Sequence, residues 1–354
     1  MMLQRLRRYG EATWTPPFPQ PLPSNAAAYA ARQSPWRAAR RRALRSLNLR
    51  WHGQSGLLRE RIDPARHRRL LWIHQGTPQV GDSLMDLAAR VLLQGRVERI
   101  DLLTDAHLLP LYRSDRVFAN VASDAAGLPR DHDLVLLHAM GSRSVRDKLA
   151  HYRGVPFAHV QGCYTGPEFN RTLFGFYRLA QLLGLPGEGL EAVARPTMQA
   201  SAAEQAAIEA LPIPPGAVAV ALGGVRDWRT YTRWVEVLRG LDRPVVLIGA
   251  DNGLAMRDQI VAAGLGVPLV DRVGRHSLGE VQALIGRCAL ALCADGGLLH
   301  VAHTTDTPVV ALFAGEILPE FRVTPANRTV SLHGAERVDD IDSHEVLQAI
   351  RRQS

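Results

Sequence analysis

The chain has 354 residues, enough for two domains of ordinary size, and 46% of them are hydrophobic. No apolar run approaches the roughly 18 residues of a membrane-spanning helix, and three cysteines without a CxxC pair exclude a disulfide framework. The formal charge of +8 and the isoelectric point near 10.0 indicate a surface that attracts nucleic acid, acidic lipid or phosphorylated sugar. The N-terminus has arginines and prolines instead of the apolar core of a signal peptide, so we expect a cytoplasmic protein.

Residues 1–65 form a basic, proline-containing N-terminal extension in this interpretation. Five prolines predict an extended segment over Thr15–Ser24, and a helix is predicted from Pro35 to about Trp51. One face of that helix is apolar and arginines cover the others; the apolar residues are Ala43, Leu44, Leu47 and Trp51. We expect this face to pack on its own domain. The alternative is that residues 35–51 lie on the anionic inner face of the cytoplasmic membrane as a peripheral contact.

From Arg69 onward, strands and helices alternate, which is typical of doubly wound α/β folds. The predicted strands are Leu70–His74, Arg99–Thr104, Asp133–His138, Phe157–Gln161, Ala217–Leu222, Pro244–Gly249, Val267–Val270, Ala289–Ala294 and Val309–Phe313. The predicted helices are Asp82–Gln94, Ser144–Tyr152, Asn170–Leu183, Ala202–Leu211, Tyr231–Leu241, Leu254–Ala263, Leu278–Arg287, Leu298–Thr304 and His344–Arg352.

These elements predict an α/β protein of two Rossmann-like domains with a cleft between them. We place one domain at residues 66–200 and the second at 201–340. Residues 341–354 hold a final helix that could cross to the first domain.

Two of the predicted strand-to-helix loops carry candidate site residues. In Gln75–Ser83, Gly81 allows a close backbone approach, and Asp82 lies near the helix start, where capping the helix is its alternative role. In the loop that begins at Gly223 and Gly224, Arg226 and Arg229 add two guanidinium groups that are suited to a diphosphate.

A third loop, Asp295-Gly296-Gly297, follows an apolar strand and precedes a helix. The carboxyl ends of parallel strands face the ligand crevice of an open sheet, and a helix N-terminus attracts anions. The loop therefore predicts a diphosphate site, and an ordinary turn in which Asp295 caps the helix is the alternative.

The motifs around Gly81-Asp82 and from Asp295 through His300 to Phe313 resemble glycosyltransferase family 9, the ADP-heptose:lipopolysaccharide heptosyltransferases. The resemblance covers about Arg69 to Thr324 and leaves out residues 1–65. It implies a GT-B fold and an inverting, metal-independent sugar transfer. It also implies that the second domain binds the donor and the first binds the acceptor.

The resemblance assigns a role to each matching residue. Asp82 would be the general base, a reasonable choice because an inverting transfer needs a carboxylate to take the acceptor proton, with Gly81 and Ser83 beside the acceptor. Arg226 or Arg229 would neutralise the leaving diphosphate, where the family usually has a lysine. The remaining donor-binding candidates are Gly223, Gly224, Asp251, His276, Ser277, Leu278, Asp295, Gly296, Gly297 and His300. Gly296 stands where the family has Ser or Thr, which removes a hydroxyl that could bond the donor.

The expected function is therefore transfer of a heptose-like sugar from a nucleoside diphosphate, with ADP-heptose as substrate, to a lipopolysaccharide-type or other glycan acceptor. We expect no cofactor, no metal and no nucleic-acid partner. Neither a P-loop nor a serine-hydrolase motif is present. Two alternatives stay open: a nucleotide-sugar epimerase on the same fold, and a degenerate transferase that only binds a nucleotide sugar or glycan.

Overall fold

The computed structural model describes residues 2–353, which divide into two compact units. Unit 1 comprises the chain up to Pro78 together with Asp86–Leu109 and Arg116–Glu191. Unit 2 comprises Gln79–Met85, Pro110–Asp115 and the chain from Ala192 onward.

Unit 1 contains a five-stranded parallel sheet in the order β3-β2-β1-β4-β5. Its strands are β1 Arg69–His74, β2 Arg99–Thr104, β3 Asn120–Ala122, β4 Leu134–Ala139 and β5 Phe157–Gly162. The helices of this part of the chain are α1 Met2–Glu11, α2 Ala26–Arg32, α3 Pro35–Trp51, α4 Val80–Asp86, α5 Leu109–Tyr112, α6 Ser142–His151 and α7 Arg171–Leu183. The central strands are almost continuously apolar and buried, as expected for a parallel sheet covered on both faces.

Unit 2 contains a six-stranded parallel sheet in the order β11-β10-β9-β6-β7-β8. Its strands are β6 Val218–Leu222, β7 Val245–Gly249, β8 Leu269–Asp271, β9 Leu290–Ala294, β10 Val309–Ala314 and β11 Thr329–Gly334. Its later helices are α8 Ala202–Glu209, α9 Trp234–Arg239, α10 Leu254–Ala262, α11 Leu278–Gly286, α12 Gly297–Ala302 and α13 Ser343–Gln353. The final helix, α13, packs on α9, β10 and β11 of this unit.

The first predicted helix of the sheet region differs from the structure. A single helix was expected over Asp82–Gln94, whereas α4 ends at Asp86 and a 3-10 segment, Ala88–Leu93, follows. Asp86 is buried, and its carboxylate pairs with His74 and Arg171. These contacts fix the end of α4 at a residue where the sequence pattern had predicted that the helix continues.

The apolar face of α3 is not packed inward, which makes the sequence prediction wrong. Leu44, Leu47 and Trp51 are exposed, and the buried residues of α3 are the alanines at 38 and 39. The small residues Gly10, Ala38 and Ala39 allow α1 and α3 to approach closely. At Gly10 the approach is so close that a Cβ would lie 2.0 Å from the carbonyl oxygen of Pro35. The leucines and tryptophan are therefore left at the surface.

Candidate active site

The six-stranded sheet reverses its strand order between β6 and β9, which are neighbours in the centre of the sheet. In open α/β sheets, ligands bind beyond the carboxyl ends of the strands at such a point. The loop 223–230 follows β6, and the turn at 295–296 follows β9. The topology therefore brings together two of the three loops that the sequence had selected.

Asp295 is buried at this point and faces two arginines. It forms an ion pair with Arg229, and Arg322 Nε lies 3.7 Å from its Oδ1. The backbone N–H of Asp295 donates to the carbonyl of Leu312 at 2.8 Å, so the residue continues the ladder of β10 and does not cap a helix. Two guanidinium groups therefore face one buried carboxylate beside the loop where an anion would bind.

One hydrogen-bond donor of Arg229 is not used within the described part of the chain. Its Nε is buried and has no hydrogen-bond partner within residues 2–353. A buried N–H without an acceptor is costly, and a phosphate oxygen would satisfy it. Arg226, three residues earlier, has an exposed side chain. Sequence reasoning could not separate these two arginines, whereas the structure gives them different surroundings.

The glycines of the β6 loop are needed for its shape. Gly223 has a φ of +86°, and a Cβ there would lie 2.8 Å from Oδ1 of Asn252. A Cβ on Gly224 would lie 2.4 Å from Oγ1 of Thr230, whose hydroxyl donates to the carbonyl of Arg226 at 3.1 Å. These contacts fix the backbone that carries both arginines.

The two glycines after Asp295 are less crowded. A Cβ on Gly296 would meet only the carbonyl oxygen of Ala294, at 3.8 Å, and one on Gly297 would meet Cβ of Val80 at 4.0 Å. The hydroxyl that the family resemblance leads us to expect at 296 is thus absent, but the structure has room for it.

The first turn of α4 lies directly against this glycine turn, inside unit 2. A Cβ on Gly81 would lie 2.5 Å from Cδ2 of His300 and 3.4 Å from Cα of Gly297. Asp82, the next residue, is partly exposed and is the third residue of α4, so the helix is not capped by it. The structure therefore brings the Gly81-Asp82 motif and the Asp295 motif to one place.

Several predicted residues around this contact are buried. Ser83 shares a hydrogen bond of 2.7 Å with the hydroxyl of Tyr112, which holds its side chain inside the protein. His300 is buried beneath Gly81, and its ring meets that of His303 edge to face. Burial lowers the pKa of His303 to about 3, and this ring shares a 3.1 Å hydrogen bond with the hydroxyl of Thr329.

The loops after β7 and β8 carry the candidates for binding the nucleotide. Asp251 is exposed, and its Oδ1 is the nearest atom, at 3.1 Å, to a Cβ built on Gly274. The side chain of His276 contacts Glu280 at 3.3 Å, while its Nε2 is buried without a hydrogen-bond partner among the described residues. Leu278 is half-buried at the start of α11.

Ser277 caps α11 and has little hydrogen-bonding capacity left for a ligand. Its hydroxyl accepts from the N–H of Glu280 at 3.1 Å and donates to Glu204 at 2.5 Å. The sequence analysis assigned Ser277 to binding of the sugar donor. Its helix-capping role could have been recognised from the Ser-x-x-Glu spacing, which is the signature of a capping box.

Unit 1 contains a buried polar cluster that the sequence analysis missed. His74 Nε2 and His138 Nε2 lie 3.2 and 3.3 Å from Oδ2 of Asp86, and Arg171 donates to both carboxylate oxygens at 3.0 Å. Burial opposes ionisation of Asp86, but His138 and Arg171 outweigh it and hold its pKa well below the usual range. The available signal was that both histidines lie near the ends of strands that are neighbours in such a sheet.

The spacing of this cluster would suit a metal ion, since one atom from each of His74, Asp86 and His138 lies within 4.8 Å of the others. Arg171, however, already supplies the positive charge that Asp86 requires. The cluster instead ties the end of α4 to β1, β4 and α7.

Comparison with known proteins identifies the kind of protein to which this site belongs. Residues 174–344 match the family model of glycosyltransferase family 9 (heptosyltransferase). The chain carries a glycosyltransferase family 9 domain. The match begins in α7 and includes the loops after β6 and β9. With the fold, it makes the protein a glycosyltransferase. No curated protein sequence matches the chain.

Solved structures share the fold of this chain. A glycosyl transferase family 9 structure from Veillonella parvula covers 82% of this chain and 98% of its own, with a TM-score of 0.68 and 14% identity. The E. coli ADP-heptose LPS heptosyltransferase II covers 80% and 98%, with a TM-score of 0.62 and 19% identity. The E. coli heptosyltransferase WaaC with ADP covers 81% and 100%, with a TM-score of 0.59 and 17% identity. The predicted GT-B class, with two Rossmann-like sheets, is confirmed.

Proposed function

We propose that this protein is an inverting, metal-independent glycosyltransferase that moves a heptose-like sugar from a nucleoside diphosphate to a hydroxyl of a lipopolysaccharide-type glycan. The expected donor is ADP-heptose, because the family is described as heptosyltransferase and one solved relative as an ADP-heptose LPS heptosyltransferase. Residues 201–340 would hold the donor and residues 66–200 the acceptor. The proposed place of action is the inner face of the cytoplasmic membrane.

The observation that supports this proposal most directly is the packing of Gly81 on His300 and Gly297. It puts a partly exposed carboxylate, Asp82, one residue away from the backbone that touches the glycine turn after β9. A general base has to lie within hydrogen-bond reach of the acceptor hydroxyl while the donor is bound. One short helix therefore links the candidate base to the candidate diphosphate site.

The proposed reaction is a single displacement. Asp82 takes the proton of the acceptor hydroxyl as that oxygen forms a bond to the anomeric carbon. The bond from this carbon to the diphosphate oxygen breaks on the opposite face, so the configuration inverts. The departing negative charge is stabilised by Arg229, through its unsatisfied Nε–H, and by Arg226. Arg229, which is paired with the buried Asp295, and Arg226 would together offer the positive charge that a divalent cation can supply to a leaving phosphate.

The other candidates would position the donor. The backbone at Gly223, Gly224, Gly296 and Gly297 would allow the diphosphate to approach closely, and Asp295 would orient Arg229 from its buried position. Asp251, exposed beside Gly274, would bind the ribose. The His276 ring and Leu278 would flank the base, with Ser277 holding the start of α11.

The test is to incubate the purified protein with ADP-heptose, with and without a lipopolysaccharide acceptor that lacks its terminal heptose. We expect release of ADP and a heptosylated glycan only when both are present. A changed sugar nucleotide in the absence of acceptor would identify an epimerase. Donor that raises the melting temperature but is never consumed would identify a binding protein, and either result would contradict the proposal.

A further inference from the structure

The positive charge of this protein is concentrated in its first 51 residues. They contain ten arginines and one acidic residue, Glu11, which gives them a formal charge of +9. The whole chain has a formal charge of +8, so the other 303 residues together are nearly neutral. The anion-attracting property inferred from composition thus belongs to this segment.

The same segment holds most of the exposed apolar side chains. Of the eleven large hydrophobic residues that are exposed within residues 2–353, eight lie before residue 52. Four of them, spaced by eight, three and four residues, form one stripe along α3: Trp36, Leu44, Leu47 and Trp51. The side chain of Trp51 is 87% exposed and that of Leu47 is 61% exposed. On α1, the exposed residues are Met2, Leu3 and Leu6.

The two helices pack directly on each other, so their exposed side chains lie on neighbouring elements. The guanidinium of Arg42 lies 4.3 Å from the ring centre of Tyr9, and its Nη1 donates to the carbonyl of Tyr9 at 2.9 Å. Gly10 is packed against the carbonyl of Pro35. We name the exposed apolar residues of α1 and α3, with the arginines between them, the Arg-Trp surface.

We propose that the Arg-Trp surface binds a membrane that contains anionic phospholipid. Tryptophan and leucine would enter the boundary between headgroups and acyl chains, where an amphipathic ring is favoured. Arginines on neighbouring positions, including Arg40 and Arg41, would contact lipid phosphates. Double-stranded nucleic acid complements the charge but leaves the apolar stripe in water, so the membrane accounts for both properties of the surface.

A groove beside α3 agrees with this occupant. It has a volume of about 800 Å³ and lies between α3 and α6. Its lining combines apolar side chains with arginines, among them Leu44, Leu49, Val145, Arg146 and Arg153. Leu44 belongs both to the groove and to the Arg-Trp surface, so the groove continues the surface inward.

This inference deepens the proposed function and rests on it in one respect: the acceptor is taken to be a glycolipid held in the membrane that the surface binds. Binding to lipid can nevertheless be measured without any sugar transfer. No helix within the described residues is long and apolar enough to span a bilayer.

The test is flotation of the full-length protein with phosphatidylcholine vesicles, with or without about 30% phosphatidylglycerol. We expect binding to the anionic vesicles, little binding to the neutral ones, and release in about 0.5 M salt. The double variants Leu47→Ser/Trp51→Ser and Arg40→Glu/Arg41→Glu should each weaken binding by about tenfold or more. Val261→Ser, at an exposed position on α10, is the matched control and should bind like the unchanged protein.

The same variants separate the two proposals. On a delipidated, soluble acceptor they should transfer sugar at the normal rate, because none of the changed residues belongs to the candidate active site. Anionic-vesicle binding that the double variants leave unchanged would overturn the membrane proposal. So would binding to duplex DNA but not to vesicles. Vesicle binding without any transfer would overturn the proposed function alone.

Discussion

At the scale of single residues, Arg226 and Arg229 differ in their burial and in their ion-pair partners. Arg229 is the partner of a buried carboxylate, whereas Arg226 extends from the surface of its loop. Removing the ion-pair partner of a buried carboxylate is destabilising, even with Arg322 Nε still 3.7 Å from Asp295, while removing an exposed arginine leaves the fold intact.

We therefore predict that Arg229→Met lowers the free energy of unfolding by about 3 kcal/mol and also weakens ADP binding. Arg226→Met should leave thermal unfolding nearly unchanged and weaken ADP binding by about tenfold to a hundredfold. Thermal unfolding and ADP titration of both variants check this. Equal stability losses, or unaltered ADP affinity in Arg226→Met, would refute the division of roles.

His303 gives the protein a pH dependence of known sign. Its pKa is about 3 in the folded state, because burial disfavours the charged ring, against an ordinary value of 6.5. Both states have a neutral ring well above pH 6.5. As the pH falls from 6.5 toward 3, only the unfolded state takes up this proton, so stability is lost.

The variant His303→Gln should accordingly lose less stability than the unchanged protein between pH 6.5 and about 5. The difference should approach about 1.4 kcal/mol for each pH unit. Denaturant unfolding at several pH values measures these slopes. Parallel slopes for the two proteins would show that His303 takes up its proton equally in both states.

At the scale of elements, the contact between α4 and α12 depends on Gly81, which has no side chain to keep the two helices apart. The ring of His300 is buried, and a methyl group on Gly81 would lie 2.5 Å from its Cδ2 atom. Overpacking of this kind typically costs about 1–3 kcal/mol. It would also displace the first turn of α4 and, with it, Asp82.

Gly81→Ala is thus predicted to reduce both stability and sugar transfer, with transfer the more strongly affected. Gly296→Ala serves as the folding control, because its new Cβ meets no atom closer than 3.8 Å. Thermal unfolding of the pair, with transfer assays of Gly81→Ala, measures the effect. A fully active and stable Gly81→Ala protein would mean that the two helices do not meet as described.

The sequence predicted elements well wherever periodicity and glycine signals agreed. The predicted strand Arg99–Thr104 has the bounds of β2, and the helix predicted from Leu278 begins at the first residue of α11. The short strand β3 and the edge strand β11 were missed, because three residues with no buried member, or an edge with half-buried side chains, give little periodic signal. The break after Asp86 was missed because it depends on partners from β1, β4 and α7.

The candidate site was predictable in its motifs but not in its contacts. The motif order predicted the importance of Asp82, Asp295 and the arginine loop. That Arg229 pairs with Asp295, or that Gly81 lies on His300, depends on packing between segments more than 60 residues apart in sequence. Periodicity also gave the wrong side of α3, since an amphipathic pattern identifies an apolar face without naming what covers it.

At the scale of the whole molecule, the N-terminal extension is part of the folded protein. Phe18 is buried, and its ring lies 4.9 Å from that of Phe174 and 5.5 Å from that of Tyr177. Both partners belong to α7 of unit 1. Residues 1–65 were predicted to be a basic N-terminal extension, and Phe18 of this segment contributes to the core of unit 1.

Phe18→Ala should therefore lower the free energy of unfolding of unit 1 by about 3–5 kcal/mol, the usual cost of removing a buried aromatic ring. Leu22→Ala, which changes an exposed side chain in the same segment, should have little effect. Urea unfolding of the two variants makes the comparison. Indistinguishable unfolding curves would mean that the extension is not part of the core.

The central claim is that Asp82 removes the acceptor proton beside a diphosphate site that other residues build. The most direct measurement compares Asp82→Asn with the unchanged protein for ADP-heptose affinity and for the rate of heptose transfer in one experiment. The account predicts an affinity within about twofold and a transfer rate lower by about a hundredfold to ten-thousandfold. Transfer at the normal rate by the Asp82→Asn protein would contradict it.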